Sequence, residues 1–192
     1  MFRHGFKSWC ERIALEKRAE LGLQPLDRLD PNDLAKQLGV VVRFPKDVPG
    51  LSSGCLKRLL EDDPDGWSAV SLRQGSRTII IMNSAHSKAR QASDLMHELA
   101  HLLLAHTPAR VDVTKDMQLL LRTHDRGQED EANWLAGCLL LPRPIVMTVH
   151  RKRQAATAAA HEYGVSVDMV NYRLRVTGVG IQEQRLQARR SR

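Results

Sequence analysis

One short stretch of the sequence, His97-Glu98-Leu99-Ala100-His101, contains residue types that could together hold a metal ion and activate water. Histidines four residues apart on a helix lie about one turn from each other, so both imidazoles could bind the same cation. Neutral imidazole suits Zn²⁺. Glu98 is rotated by roughly 100° around the helix from His97, which puts its carboxylate beside the metal rather than among its ligands. The spacing therefore predicts a zinc site with Glu98 as general base.

Such a site would support hydrolysis of a peptide bond. Zinc lowers the pKa of a bound water to about 7, so Glu98 could accept a proton as that water attacks a carbonyl and then deliver it to the leaving amine. Without such a role, two histidines and a glutamate on a core helix would be costly to bury. Hydrolytic zinc sites normally have three protein ligands, and the acidic run Glu129, Asp130 and Glu131 offers candidates for the third.

The elements that must position these residues follow from the spacing of apolar residues. A broad apolar stripe predicts a buried helix over 87–105, and a second is predicted over 128–141, ended by Pro142 and Pro144. Two β-forming runs within 67–82 predict a hairpin that leads directly into the first of these helices. The metal-binding residues are thus expected on two packed helices beside a sheet.

The remaining elements are predicted from helix and strand signals nearer the ends of the chain. Proline, glycine and aspartate over 45–66 favour a loop-rich connection, with a short strand around 53–57. The other predicted elements are helices over 6–21, 31–38, 153–163 and 166–176 and a strand over 40–42.

Composition points to one domain over residues 1–180 followed by a basic, disordered tail over 181–192. The sequence lacks a run of roughly 20 apolar residues, and its charged N-terminus does not resemble a signal peptide, so no membrane contact and a cytoplasmic location are expected. Three dispersed cysteines give no disulfide framework. The net charge of +7 favours acidic partners, but much of the excess lies in the tail, so direct nucleic-acid binding is not the favoured interpretation.

Two segments about thirty residues apart, SDLMHELAHLLLAH and EDEANWLAGCLLLP, resemble the ImmA/IrrE family of metallo-endopeptidases. The resemblance extends over roughly residues 8–178 and includes RTIIIMN and LAKQLGVVVRF. One departure is Ala100, where glycine is frequent. The resemblance implies an α+β, zincin-like fold in which a small twisted sheet packs on an active-site helix, with additional C-terminal helices.

The resemblance also favours one third metal ligand. The order Glu129-Asp130-Glu131-Ala132-Asn133 is similar to the Glu-x-x-Ala-Asp/Asn arrangement of glutamate-type zincins, in which the first glutamate binds the metal. Glu129 is therefore preferred, with Glu131 as the alternative. Asn133, one turn later, would orient a ligand.

Members of the family include proteases that act on helix-turn-helix repressors in mobile elements and stress responses. The implied substrate is a regulatory protein, repressor or antitoxin-like, whose extended segment pairs with an edge strand of the sheet. The sequence has no room for the N-terminal helix-turn-helix domain that many members carry, so a separately encoded regulator is expected as partner.

Further candidates for oxyanion-stabilising or substrate-binding groups are His106, His124, His161, Tyr163 and Tyr172. His106 lies about 140° around a continued helix from His101, which argues against a shared metal unless the helix ends first. A surface position is the favoured interpretation of all three histidines.

A second class of function arises from the C-terminal segment AAAHEYGVSVDMVNYRLRVTG, where helix, glycine turn and helix superficially fit a DNA-reading motif. Asn171, Arg173 and Arg175 would be the reading residues. The alternative function is thus a metal-containing DNA-binding or protein-binding regulatory module without proteolysis.

Overall fold

The computed structural model describes residues 2–75, 77–106, 111–113, 119–121 and 125–181 of the chain. The α-helices of this part are α1 Phe6–Glu20, α2 Pro31–Gln37, α3 Ser53–Lys57, α4 Lys88–Leu103, α5 Arg126–Leu140, α6 Arg143–Arg151, α7 Ala156–Tyr163 and α8 Val167–Thr177. A 3-10 turn, Pro45–Asp47, and a π-helical turn, Arg58–Asp62, lie between β1 and β2. The strands are β1 Val40–Arg43, β2 Ala69–Gln74, β3 Arg77–Met82, β4 Val111–Val113 and β5 Leu119–Leu121. The α+β class predicted from the sequence is confirmed.

The larger sheet has three strands in the order β1-β3-β2. β3 is parallel to β1 and antiparallel to β2, so that Ile80 lies between Val42 and Ser71. This arrangement leaves β2 at an edge. The predicted hairpin is confirmed, with a first strand that ends at Gln74 and a second that begins at Arg77. The smaller sheet is the antiparallel pair of β4 and β5.

One prediction about the connecting segments is wrong. Residues 53–57 form helix α3 rather than a strand, because the Ser52 hydroxyl accepts a hydrogen bond from the Cys55 N–H at 3.2 Å and so caps a helical turn. The predicted end of α5 before Pro142 and Pro144 is confirmed, since the helix ends at Leu140. The two prolines also begin α6, because the missing N–H of proline costs no hydrogen bond in the first turn of a helix.

The core lies where α4 packs against the sheet and against α5, and where α5 packs against α1. Each large aliphatic side chain buried there contributes about 1.5–3 kcal/mol relative to its exposed state. The fully buried residues of these layers include Leu95, Met96, Leu99 and Ala100 of α4, Ala132, Leu135 and Leu139 of α5, and Ile80 and Met82 of β3. This packing fixes α4 and α5 side by side.

Two buried arginines satisfy the carbonyl groups at the end of α5. Arg18 donates to the carbonyl of Leu140 at 3.0 Å, and Arg173 donates to that of Leu141 at 2.9 Å. These are carbonyls that a helix end leaves without partners. Arg173 also donates to Glu11 at 2.6 Å. Burial lowers the pKa of Arg18 to about 10, so its guanidinium stays charged at neutral pH.

Gly137 provides the space in which Arg173 crosses α5. A Cβ atom at position 137 would lie 2.9 Å from Cδ of Arg173 and 3.3 Å from a ring carbon of Tyr172. Because Arg173 is fully buried and cannot withdraw freely, Gly137→Ala is expected to lower the free energy of unfolding by roughly 1–3 kcal/mol in urea titrations. The control is Gly54→Ala in α3, where the nearest atom would be 3.9 Å away. This control should be neutral or slightly stabilising, and equal effects of both changes would contradict the packing argument.

Residues 182–192, almost all of the predicted basic tail, lie outside the described residues. Within the described residues no single helix is long and apolar enough to cross a membrane. Of the described helices, only α5 and α6 taken together meet that length, and they are bent by 61° relative to each other.

Candidate metal centre

Three side chains from two helices converge between α4 and α5. Nε2 of His101 lies 3.0 Å from Nε2 of His97. The Glu129 carboxylate approaches both rings, at 3.2 Å from His97 Nε2 and 3.4 Å from His101 Nε2. One ligand atom from each residue lies within 4.8 Å of the others. The structure thus brings together the three residues that the sequence assigned to the metal.

Helix capping sets the start of both helices that carry these residues. In α4, the Ser87 hydroxyl accepts a hydrogen bond from the Arg90 N–H at 3.3 Å. In α5, the Asp125 carboxylate accepts one from the Gly127 N–H at 2.8 Å. The Glu129 N–H donates to the Asp125 carbonyl at 3.0 Å, so Glu129 lies in the first turn of α5. A carboxylate is favoured there by the helix dipole.

The donor set fits a divalent cation such as zinc. Two imidazole nitrogens and one carboxylate form the three-ligand set typical of hydrolytic zinc sites, which keep a further position open. The side chains of His97, His101 and Glu129 are 23%, 22% and 29% exposed, so the cluster is reachable from solvent. A cation between the rings could accept one lone pair from each Nε2 atom of the two neutral imidazoles.

Glu98 is held separately from this cluster. Its carboxylate accepts a hydrogen bond from the hydroxyl of Ser71 on β2. Ser71 is opposite Ile80, which is buried, so this row of the sheet faces α4. No pattern in the sequence points to Ser71, because only the pairing of the strands and the packing of the sheet on α4 bring it to Glu98.

Glu131, the alternative ligand, lies next to a different partner. Its carboxylate is 3.4 Å from Nε2 of His106, and it does not belong to the three-residue cluster. Nδ1 of His106 lies 3.0 Å from Nδ1 of His101. The side chain of His106 is only 8% exposed, so the expected surface position of this histidine is wrong.

The other candidates lie in separate surroundings. Asn133 is exposed on α5, and among the described residues its side chain has no hydrogen-bond partner. His161 is exposed on α7. Tyr163 is buried at the end of α7, where desolvation raises its pKa and its electrostatic neighbours are Glu162 and Arg18. His124 lies outside the described residues.

A buried histidine that the sequence analysis did not single out fixes the entry to α4. Nδ1 of His86 lies 3.1 Å from the Asp94 carboxylate, and its Nε2 lies 3.0 Å from the carbonyl of Pro64. Asn83 donates to the same carbonyl at 2.7 Å. These contacts join the end of β3, the preceding loop and the first turns of α4. The orientation of α4 against the sheet is thereby set before His97 is reached.

One helix carries two histidines and packs between a small mixed sheet and a second helix, which supplies a glutamate. This arrangement defines a zincin-like metallopeptidase domain. The chain belongs to the peptidase M78 family, because the family model, described as the IrrE N-terminal-like domain, matches residues 35–175, well over half of the sequence. The zincin-like class and the ImmA/IrrE resemblance are confirmed. The family is one of peptidase-type hydrolases.

Solved structures share the fold, and one of them is a regulator. A transcriptional regulator from Mycobacterium tuberculosis superposes with a TM-score of 0.53 at 16% sequence identity. The match covers 90% of this chain and 47% of that protein, so the chain spans about half the regulator's length. No curated protein sequence matches the chain.

Proposed function

We propose that this protein is a zinc-dependent endopeptidase that cleaves a regulatory protein of the helix-turn-helix class in the cytoplasm. The observation that carries the proposal is the convergence of His97, His101 and Glu129 beside a separately held Glu98. Membership of a peptidase family supports hydrolysis. The name of the structural neighbour, a transcriptional regulator, agrees with a regulatory setting.

In this proposal His97, His101 and Glu129 hold the zinc ion and Glu98 moves the proton. Zinc bound there would lower the pKa of water to about 7 and polarise the scissile carbonyl. Glu98 accepts the proton of the attacking water and returns it to the leaving amine. The Ser71 hydrogen bond holds one carboxylate oxygen of Glu98, which leaves the other oxygen for that transfer.

The substrate segment is proposed to add to the edge of the sheet along β2, the strand that carries Ser71. Side chains alternate between the two faces of a strand, so Val70 and Leu72 point away from the face that packs on α4. They are 40% and 43% exposed, although both are large and apolar. An extended substrate on this edge would place alternate side chains beside them. We therefore propose substrates with apolar residues at two positions separated by one residue.

Cleavage can be tested directly on candidate helix-turn-helix regulators. The zinc-loaded protein is incubated with each regulator, and fragments are identified by mass spectrometry. The expected result is one or few defined cuts within an extended segment, and these should disappear when a chelator removes the metal. Intact regulators in every case, despite a metal-loaded protein, would contradict the proposed substrate class.

Ser71→Ala should reduce cleavage without reducing metal binding. Loss of a hydrogen bond to a charged group in a partly exposed position costs about 1–1.5 kcal/mol, which corresponds to roughly a tenfold lower kcat/KM if Glu98 must be held in place. The control is Ser93→Ala, because Ser93 lies on α4 but bonds the Ala89 carbonyl at 3.2 Å instead. A Ser71→Ala protein as active as Ser93→Ala would exclude a role for the Ser71 contact.

The alternative of a DNA-binding module loses one of its three reading residues in the structure. Arg173 is fully buried and is bound to Leu141 and Glu11. Asn171 and Arg175 remain exposed on α8. If they contacted DNA, affinity would fall steeply with salt according to the phosphates neutralised. A binding constant without that salt dependence would exclude this alternative.

A further inference from the structure

The chain turns back on itself immediately after α4. The helix ends at Leu103, and Ala105 then takes a φ of 53°, a left-handed conformation that costs a residue with a Cβ about 1–2 kcal/mol. The His106 N–H donates to the carbonyl of His101 at 3.0 Å. Position 106 therefore lies beside the last turn of α4 instead of 140° further around a continued helix.

This turn places the His106 ring against the His101 ring. The two Nδ1 atoms are 3.0 Å apart, and the ring planes meet at 68°. Nε2 of His106 lies 3.4 Å from the Glu131 carboxylate. Glu131, His106 and His101 thus form a row that connects α5 back to α4 behind the metal cluster.

Only one assignment of protons suits this row when His101 binds a metal through Nε2. A neutral imidazole that offers the Nε2 lone pair carries its proton on Nδ1. This Nδ1–H can donate to Nδ1 of His106, which must then be an acceptor. The proton of His106 is accordingly on Nε2, where the Glu131 carboxylate can accept it. Each ring nitrogen in the row thereby has a suitable partner.

We propose that His106 is a positioning residue for the metal site, held by Glu131, that fixes the tautomer and orientation of His101. The proposal rests on the metal binding part of the proposed function and not on proteolysis. His106 is not a fourth ligand, because it contacts Nδ1 of His101, whereas Nε2 is the nitrogen of His101 that lies beside His97 and Glu129. Outer groups that orient metal-binding histidines typically change metal affinity by about 10–100-fold.

The test is zinc affinity, measured on metal-free protein by competition with a chromophoric chelator. His106→Leu removes the acceptor and should weaken binding about 10–100-fold. His106→Asn keeps an acceptor near the Nδ1 position and should recover most of the affinity, with a Co²⁺ absorption spectrum like that of the wild type. His4→Leu alters an exposed histidine on the N-terminal segment and should change nothing.

Thermal unfolding of the metal-free variants separates positioning from loss of fold. If His106→Leu does not fold, Glu131→Ala carries the test, with a several-fold loss of affinity expected. The proposal would be overturned if His106→Leu bound zinc with wild-type affinity, or if Glu131→Ala did so where His106→Leu does not fold. It would also be overturned if His106→Asn bound zinc as weakly as His106→Leu. Because the readout is zinc binding, a protein that binds zinc but cleaves no regulator would contradict the proposed substrate class and leave this proposal intact.

Discussion

Glu98→Gln is expected to lower kcat for regulator cleavage by about 10²–10⁴-fold while zinc stays bound at one equivalent per chain. Glutamine keeps the size of the side chain and an oxygen that can still accept from Ser71, but it cannot take a proton from water at neutral pH. Glu98 is not one of the three clustered ligands, so metal content should not fall. Both quantities are measured on the same preparation, by mass spectrometry and by single-turnover cleavage.

This pair of measurements distinguishes the two classes of function. A structural metal site has no need of a base beside an open coordination position. If Glu98→Gln cleaved as fast as the wild type, the activity would come from another group or from a contaminating protease. If the variant lost its metal, Glu98 would have to be reassigned as a ligand.

His97→Ala is expected to lower zinc affinity by at least about 100-fold, because loss of a direct ligand should exceed the effect of an outer group. Glu129→Ala should behave in the same way, since its carboxylate lies within 3.4 Å of both ring nitrogens. The control for the third ligand is Asp130→Ala, whose side chain is exposed on the same helix. Affinity is measured by competitive titration of metal-free protein.

The outcome for Glu129 decides the remaining choice among the acidic residues. Retained affinity in Glu129→Ala together with a loss in Glu131→Ala of the size seen in His97→Ala would transfer the third ligand to Glu131. That result would also contradict the inference that the main role of Glu131 is its contact with His106.

The core of the candidate site was readable from the sequence because its residues are close along the chain. His97, Glu98 and His101 occupy two turns of a helix that apolar spacing alone predicts, so their common face follows from helix geometry. The choice of Glu129 required further information, since three neighbouring acidic residues are equally plausible ligands by composition. The family resemblance favoured Glu129, and the packing of α4 on α5 brings its carboxylate to the histidines.

Residues that act through tertiary contacts were not readable in this way. Ser71 reaches Glu98 only through strand pairing, and His86 reaches Pro64 only after the loop has folded over α4. The surface position predicted for His106 was wrong because it assumed that α4 continues past Leu103, whereas the chain turns at Ala105, which has a left-handed conformation. Composition signals no such turn, since glycine is the residue usually found there.

The two buried arginines have a consequence for how the domain is completed during synthesis. Glu11 and Arg173, which bond each other, are 162 positions apart. Chains are made from the N-terminus, so the carbonyl of Leu141 has to await α8 before Arg173 can satisfy it. Until then the helix that carries Glu129 lacks one of the hydrogen bonds to the carbonyls at its C-terminal end. The hydrogen bond from Arg173 to the end of the metal-binding helix can therefore form only when nearly the whole domain has emerged from the ribosome.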